Sequence, residues 1–318
     1  MTQSLFISRA LPDAVLAEAR EFADVTVKEG ETPLNAAEAA EVLHLYDAVV
    51  PTLGDAYRAE AFAAGPFRAK VLANFGVGYN HIDAEAAKVA GLMVTNTPGA
   101  VTDATADIAL TLMLMTCRRA GEGERLVRAG RWTGWQPTQM LGLHMSGKTL
   151  GIIGMGRIGK AIARRAHAGF GMEVVFYNRS PVAEPGVPAK QLPTLTDVMG
   201  MADVVVLAVP ATPQTRHLID AAALAAMKPS GHLVNIARGD IVDEVALISA
   251  LATGQIAGAG LDVYEFEPKV PSELISMENV VLLPHLGTAA LEVREAMGRM
   301  AIANARAVLE GRAPPNPV

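Results

Sequence analysis

Three glycines in Gly154-Met155-Gly156-Arg157-Ile158-Gly159 follow the apolar run Thr149-Leu150-Gly151-Ile152-Ile153 and precede an alanine-rich helical stretch. Strand, glycines and helix in that order match a fingerprint for binding a dinucleotide pyrophosphate. Gly154 permits the tight turn, Gly156 lets backbone approach the anion, and Gly159 lets the helix pack close to the strand, with helix N–H groups facing the phosphates. An acid that takes the adenosine ribose hydroxyls stands about 20 residues further on in such folds. Here Val174-Val175-Phe176-Tyr177 runs instead into Asn178-Arg179-Ser180. Asn178 and Ser180 can donate to a phosphate, Arg179 supplies a cation, and no carboxylate repels a 2′-phosphate. The expected coenzyme is therefore NADPH, with NADH possible. Three further residues follow apolar strands: Arg238 after Leu233-Val234-Asn235-Ile236-Ala237, Glu267 in Tyr264-Glu265-Phe266-Glu267-Pro268, and His285 after Val280-Val281-Leu282-Leu283-Pro284. Each alone fits a solvated loop, but all three behind strand ends of one domain favour a shared cleft.

The elements that must position these residues alternate. The first hundred residues carry strands at Leu5–Ile7, Val25–Val27, Ala48–Val50, Val71–Ala73 and Met93–Thr95. Between them fall helical stretches at Asp13–Phe22, Ala36–Leu45, Ala56–Ala64 and Ala84–Ala90. This rhythm implies a parallel sheet covered on both faces, with ligands beyond the carboxyl ends of its strands. Gly76-Val77-Gly78 directly follows the Val71 strand and is a candidate site or an ordinary turn. Asn96-Thr97-Pro98-Gly99 marks a turn and a plausible boundary before one long apolar helix through Arg119. A second series follows, with strands at Leu150–Ile153, Val174–Tyr177, Val204–Leu207, Leu233–Asn235, Ala259–Leu261 and Val280–Leu283. Ala289–Glu310 reads as a terminal helix ending at Gly311.

Composition narrows the function classes. At 318 residues, 51% hydrophobic, the chain predicts about two domains, and its net charge of −6 excludes a broadly basic face for nucleic acid or anionic membrane. The single Cys117 forms no internal disulfide or multi-thiolate centre, and no metal is expected. The N-terminus lacks a cationic n-region, and Arg9 interrupts its apolar stretch, so a cytoplasmic location is expected. The most apolar window, Ile108–Cys117, is about half the ~20 residues of a membrane span.

The stretches Gly76–Asp83, Asn96–Gly99, Thr102–Asp107, Asn235–Asp240, Gly260–Val263 and Leu283–Gly287, together with the glycine loop, resemble the D-isomer-specific 2-hydroxyacid dehydrogenases over almost the whole length. Within that family the likeness is strongest to the glyoxylate/hydroxypyruvate reductases. Asn80-His81 replaces a commoner Asp-Asn pair, and Thr288 stands where serine is usual. The resemblance implies an α/β architecture of two Rossmann-like parallel-sheet domains. A flavodoxin-like outer, substrate-binding domain would span 1–99 plus 288–318, and a dinucleotide-binding inner domain 100–287. It implies a catalytic set of Arg238, Glu267 and His285, reducing a small 2-oxo acid to the D-2-hydroxy acid. Arg238 would hold the substrate carboxylate, and His285 would donate the proton, oriented and favoured in its charged form by Glu267. Val77 and Gly78 would complete the substrate contacts, with Leu53 as an apolar wall nearby or as part of the core.

Beyond the glycine loop (Gly154, Gly156, Arg157, Ile158, Gly159) and Asn178, Arg179 and Ser180, the implied coenzyme contacts are Thr105, Val209, Pro210, Thr215, Ile236, Ala237, Arg238, Asp262, His285 and Gly287. Asp262 would hold the nicotinamide carboxamide or serve as an acidic turn residue. Trp132 and Trp135 cluster before the glycine-loop strand, where they could pack within one core or bury aromatic area against another chain; the resemblance implies that this region (100–145) is a homodimer arm. Trp135 of the partner subunit would there cap the substrate pocket. Phosphoglycerate- or D-lactate-type dehydrogenases are alternatives, as is a non-enzymatic dinucleotide-sensing interaction protein.

Overall fold

Strands buried on both faces read as unbroken apolar runs rather than as alternating ones, and this chain is built from such runs. A computed structural model describes residues 3–318 and divides the chain into two compact units, Met1–Val101 with Thr288–Val318 and Thr102–Gly287. The first unit alternates β1 (Ser4–Ile7), α1 (Asp13–Arg20), β2 (Asp24–Val27), α2 (Ala36–Leu45), β3 (Ala48–Val50), β4 (Val71–Ala73), α3 (Ala84–Val89) and β5 (Met93–Thr95). Its five strands run parallel in the order β2-β1-β3-β4-β5. Asn35 begins α2 with a capping box, accepting from the Ala37 and Glu38 amides while Glu38 accepts from its own amide.

The second unit opens with α4 (Thr102–Cys117) and α5 (Ala120–Arg128), then β6 (Thr149–Ile153), α6 (Arg157–Phe170), β7 (Glu173–Tyr177), β8 (Ala189–Gln191), α7 (Leu195–Met201) and β9 (Val204–Leu207). It continues through α8 (Ala221–Ala225), β10 (His232–Asn235), α9 (Glu244–Ala252), β11 (Gly258–Leu261), α10 (Ser272–Ser276) and β12 (Val280–Leu282). Its seven strands are parallel, ordered β12-β11-β10-β9-β6-β7-β8. Ile153 is in register with both Tyr177 and Leu207, so the residues after β6, β7 and β9 leave the sheet at one level. Between β6 and β9 the chain order reverses, and that crevice is where such sheets take ligands. On one face α4 packs against α6, pinned by Arg165, which pairs with Asp103 and Asp107.

The last helix, α11 (Leu291–Leu309), returns to the first unit and packs on α1, β3 and β4. A Cβ at Gly298 would lie 2.7 Å from Val15, so only glycine permits the close approach of α11 to α1. Among the described residues no helix is long and apolar enough to cross a membrane.

The sequence expectations differ from the fold in three places. Ala56–Ala64 holds only a short 3-10 turn at Ala59–Phe62, because Tyr57 is drawn into an extended bridge with Ile82 and Gly65-Pro66 follows. The long helix stops at Cys117: Arg119 adopts a left-handed conformation (φ 53°), pairs with Glu122, and a second helix, α5, follows. Strand β8 was not anticipated, since Ala-Lys-Gln at a solvent-facing sheet edge carries no apolar signature.

Candidate active site

The carboxyl ends of β6, β7, β9, β10, β11 and β12 gather most of the residues singled out in the sequence. Gly154 turns the chain at φ 101°, a conformation L side chains rarely adopt, and a Cβ there would lie 2.7 Å from both the Ala208 carbonyl oxygen and Val209 Cγ1. A Cβ at Gly159 would collide with the Gly154 carbonyl oxygen. Gly156 differs: a Cβ there meets nothing, so its surface is open to a ligand. It is also the N-cap of α6, which has no side-chain cap and no acid in its first turn. Amide donors at that terminus are thus available to an anion, and the macrodipole favours one. These features fit a dinucleotide pyrophosphate, with Arg157 and Ile158 in the first turn beside it.

Asn178 sits within reach of this loop, its Oδ1 accepting from the Met155 amide at 3.3 Å and its Nδ2 donating to Ser180 O at 2.9 Å. Gln191 of β8 braces the same turn, donating to Asn178 O and Ser180 O and accepting from the Val182 amide. Arg179 and Ser180 are exposed. Beyond β9, Thr215 donates to the Pro210 carbonyl at 2.8 Å, closing the loop that begins at Val209.

The loops after β10, β11 and β12 are locked to one another. Asn235, at the end of β10, donates to Arg238 O at 2.8 Å and accepts from the Ala237 amide at 3.0 Å, so one buried side chain shapes the turn Ile236–Arg238. Burial pulls the Arg238 guanidinium below its usual range, with Glu267 and Asp240 opposing. A Cβ at Gly239 would overlap the Tyr264 backbone, so that turn packs directly on the Glu267 loop. Glu244 supports the same loop by accepting from the Glu265 amide at 2.9 Å, and Tyr264 donates its hydroxyl to Leu283 O at 2.9 Å.

Glu267 Oε2 lies 2.9 Å from His285 Nδ1, and its Oε1 accepts from the Tyr264 amide at 3.1 Å. Burial raises the Glu267 carboxyl, but the bond and charge of His285, the Tyr264 amide and Arg238 outweigh it and hold the group below the usual carboxylate range. An ionised Glu267 accepts only, so Nδ1 carries the hydrogen and Nε2 points elsewhere. His285 itself has a left-handed backbone, φ 56°. Such a conformation persists only where the surroundings impose it. Asp262, 1% exposed, imposes it: its carbonyl accepts from the His285 amide at 2.9 Å, and its carboxylate accepts from Leu286 N (2.6 Å) and Gly287 N (2.8 Å). A Cβ at Gly287 would lie 3.4 Å from Asp262 Oδ2 and 3.6 Å from Thr105 Oγ1, which brings Thr105 to the same corner.

The first unit holds the remaining expected substrate contacts. Leu53 follows β3, its carbonyl accepting from Arg9 at 2.6 Å, and Val77 and Gly78 follow β4. Trp135 is 80% exposed in the segment after α5. A cavity of about 570 Å³ lined by Thr116, Cys117, His232 and Asn279 lies at the amino ends of β10–β12, the opposite edge from the glycine loop, and contains none of the expected residues. The bracing roles of Asn235, Glu244 and Tyr264, and the clamp made by Asp262, escaped the sequence reading. Only the polar residues at the ends of otherwise apolar strands hinted at them.

Known proteins are similar to this chain along its whole length. The model of the D-isomer specific 2-hydroxyacid dehydrogenase NAD binding domain matches residues 110–287. A glyoxylate reductase from Thermococcus kodakarensis is 44% identical over 321 residues, covering 99% of this chain and 96% of its own. An NADPH-dependent glyoxylate/hydroxypyruvate reductase from Sinorhizobium meliloti, solved with NADP and malonate, superposes with a TM-score of 0.89 at 35% identity, covering 100% of this chain and 97% of that one. The structure of the TT0316 protein from Thermus thermophilus reaches a TM-score of 0.92 at 42% identity, covering 99% of each chain. With two parallel-sheet units, a glycine turn open to a pyrophosphate and relatives of this identity over their full length, the chain belongs to the D-isomer specific 2-hydroxyacid dehydrogenase family.

Proposed function

We propose that the protein reduces a small 2-oxo acid, glyoxylate or hydroxypyruvate, to the D-2-hydroxy acid at the expense of NADPH, with His285 as general acid. The observation that carries this reading is the His285–Glu267 pair, 2.9 Å apart, on a strained backbone fixed by Asp262. When bound, the reduced nicotinamide supplies a hydride to the carbonyl carbon. His285, with Nδ1 committed to Glu267, has Nε2 left to pass a proton to the carbonyl oxygen as charge develops there. Glu267 sets the tautomer and ring orientation and compensates the imidazolium charge before transfer. Arg238 holds the substrate carboxylate and polarises the carbonyl, and its burial makes each such bond stronger than it would be in water. In the first unit the Val77 and Gly78 amides are the proposed backbone donors to a carboxylate. Thr105, Ile236, Ala237 and Asp262 contribute to the nicotinamide end of the coenzyme site. The glyoxylate reductases among the relatives support a small acid as substrate.

The direct test mixes purified protein, NADPH and glyoxylate. Absorbance at 340 nm should fall, and no fall with glyoxylate or hydroxypyruvate, with either coenzyme, rejects the reading.

Preference for NADPH rests on the turn after β7, where Asn178, Arg179 and Ser180 stand and no carboxylate does. Asn178→Asp keeps an acceptor for the Met155 amide but places a negative charge against a 2′-phosphate. The ratio of kcat/KM for NADPH over NADH should fall about fivefold or more, since like charges at contact near a surface cost about 1–4 kcal/mol. A wild-type ratio favouring NADH sinks the preference.

A homodimer through residues 100–145 belongs to the same proposal. Val127, Trp132, Trp135 and Leu141 are 59%, 53%, 80% and 68% exposed there, an apolar series of the kind that interfaces bury. Trp135 of the partner subunit would then cap the substrate pocket.

A further inference from the structure

We propose that Asn74 and Asn96 are positioning residues: they hold two successive peptide groups of the Gly76–Gly78 loop with their N–H bonds outward, forming the seat for the substrate carboxylate. The inference rests on the proposed reduction of a 2-oxo acid and deepens it. In a trans peptide the C=O and N–H point in opposite directions, so fixing a carbonyl aims the amide that shares its plane. The Gly76 carbonyl, in the plane that carries the Val77 amide, accepts from Asn74 Nδ2 at 2.9 Å and from the Thr97 amide at 3.1 Å. The Val77 carbonyl, in the plane that carries the Gly78 amide, accepts from Asn96 Nδ2 at 3.0 Å. Asn74 Nδ2 also reaches Gly78 O at 3.1 Å. Three consecutive carbonyls are therefore drawn to one side by two asparagines. Among the described residues the Val77 and Gly78 amides have no acceptor of their own.

Topology explains how two such residues come together. Ala73 is in register with Thr95, so Asn74 and Asn96 leave neighbouring strands β4 and β5 side by side. The Asn96 main chain is already occupied, its amide donating to Asn316 O at 3.2 Å and its carbonyl accepting from Asn304 Nδ2 at 3.2 Å, which leaves its side chain to the loop. Asn74 is fully buried, and among the described residues its Oδ1 has no hydrogen-bond partner. An unsatisfied buried amide oxygen is a cost that alanine would not carry, and turning the amide over would set that oxygen against two carbonyl oxygens. Hydrogen bonds to the carbonyls also polarise the two peptide groups, so their N–H bonds donate more strongly to an anion than isolated amides do.

The experiment uses the full chain, saturated with NADPH, and oxamate as a carboxylate-bearing, unreactive analogue of the substrate. In the wild type the backbone 15N–1H resonances of Val77 and Gly78 should move downfield on titration. In Asn96→Ala, with thermal midpoint and NADPH affinity retained, the Gly78 response should be lost. The glyoxylate KM should rise about tenfold while kcat stays within about threefold, because a carboxylate anchor acts alike in ground and transition states. Asn74→Ala should do the same to Val77. Should the buried Asn74 variant fail to fold, Asn96→Asp, which keeps the size and turns the donor into an acceptor, provides the second test with the same expected loss. Unchanged oxamate shifts and KM in the Asn96 variants overturn the role of the asparagines and leave the 2-oxo acid reading standing. Glyoxylate reduction by a wild type whose Val77 and Gly78 amides ignore oxamate overturns the carboxylate seat itself. Absence of any 2-oxo acid reduction removes the reading on which both rest.

Discussion

Replacing His285 with alanine is expected to lower kcat about 10²-fold or more while changing the NADPH dissociation constant by less than about twofold, because general-acid help is of that order and is realised only as charge develops on the carbonyl oxygen. The imidazole is separable from the rest of the site. Its backbone position is set by Asp262, through the His285, Leu286 and Gly287 amides, and none of those bonds involves the ring. The coenzyme loop at Gly154–Gly159 lies on a different strand. Removing the ring therefore leaves Glu267 with one partner fewer but leaves the loop and the dinucleotide seat in place. Stopped-flow turnover and fluorescence titration of NADPH check the two halves of this expectation. Turnover within a few-fold of wild type rejects His285 as the acid, and lost NADPH binding assigns it to the coenzyme instead.

Arg238→Ala should act differently, raising the glyoxylate KM and lowering kcat together, with kcat/KM down about 10²- to 10³-fold, as expected when charge-assisted bonds worth about 1.5–3 kcal/mol each are lost. The guanidinium is proposed to touch both the carboxylate, bound equally in ground and transition states, and the carbonyl, bound more tightly as it becomes an alkoxide. Both constants therefore move. Its turn is held by Asn235 and by the close approach of Gly239 to Tyr264, so the truncated variant should keep its fold. Steady-state kinetics with glyoxylate distinguish the outcomes: an unchanged KM places Arg238 outside the substrate site.

What could be read from the chain was what depends on near neighbours. The glycine loop is legible because each glycine answers a local steric demand, and the structure shows two of them blocked and the third open. Strands such as Ala48–Val50 and Val204–Leu207 are legible because burial on both faces demands continuous apolar runs. Strand β8 is not, since an edge strand of Ala, Lys and Gln satisfies backbone pairing without any apolar pattern. Nor is the helix break at Arg119, where a left-handed arginine serves in place of the glycine or proline that usually signals a stop. At the site, Arg238, Glu267 and His285 stood out by position after strands, but the Asp262 clamp spans 24 residues to Leu286 and the link from Glu244 to Glu265 spans 21. Pairings of that kind are set by which strands are neighbours, and no local pattern encodes them.

The return of α11 to the first unit fixes an order of events during synthesis. Residues 4–95 carry all five strands of that unit's sheet, yet the helix that covers β3 and β4 and packs on α1 begins at Leu291, beyond the whole of the second unit. At roughly 5–20 residues per second, the intervening 102–287 take on the order of ten to forty seconds to translate. Throughout that interval the nascent first unit has an uncovered sheet face and an Asn96 without Asn304 or Asn316. The second unit, continuous in the chain, can close first, and the first is completed only when its final helix emerges.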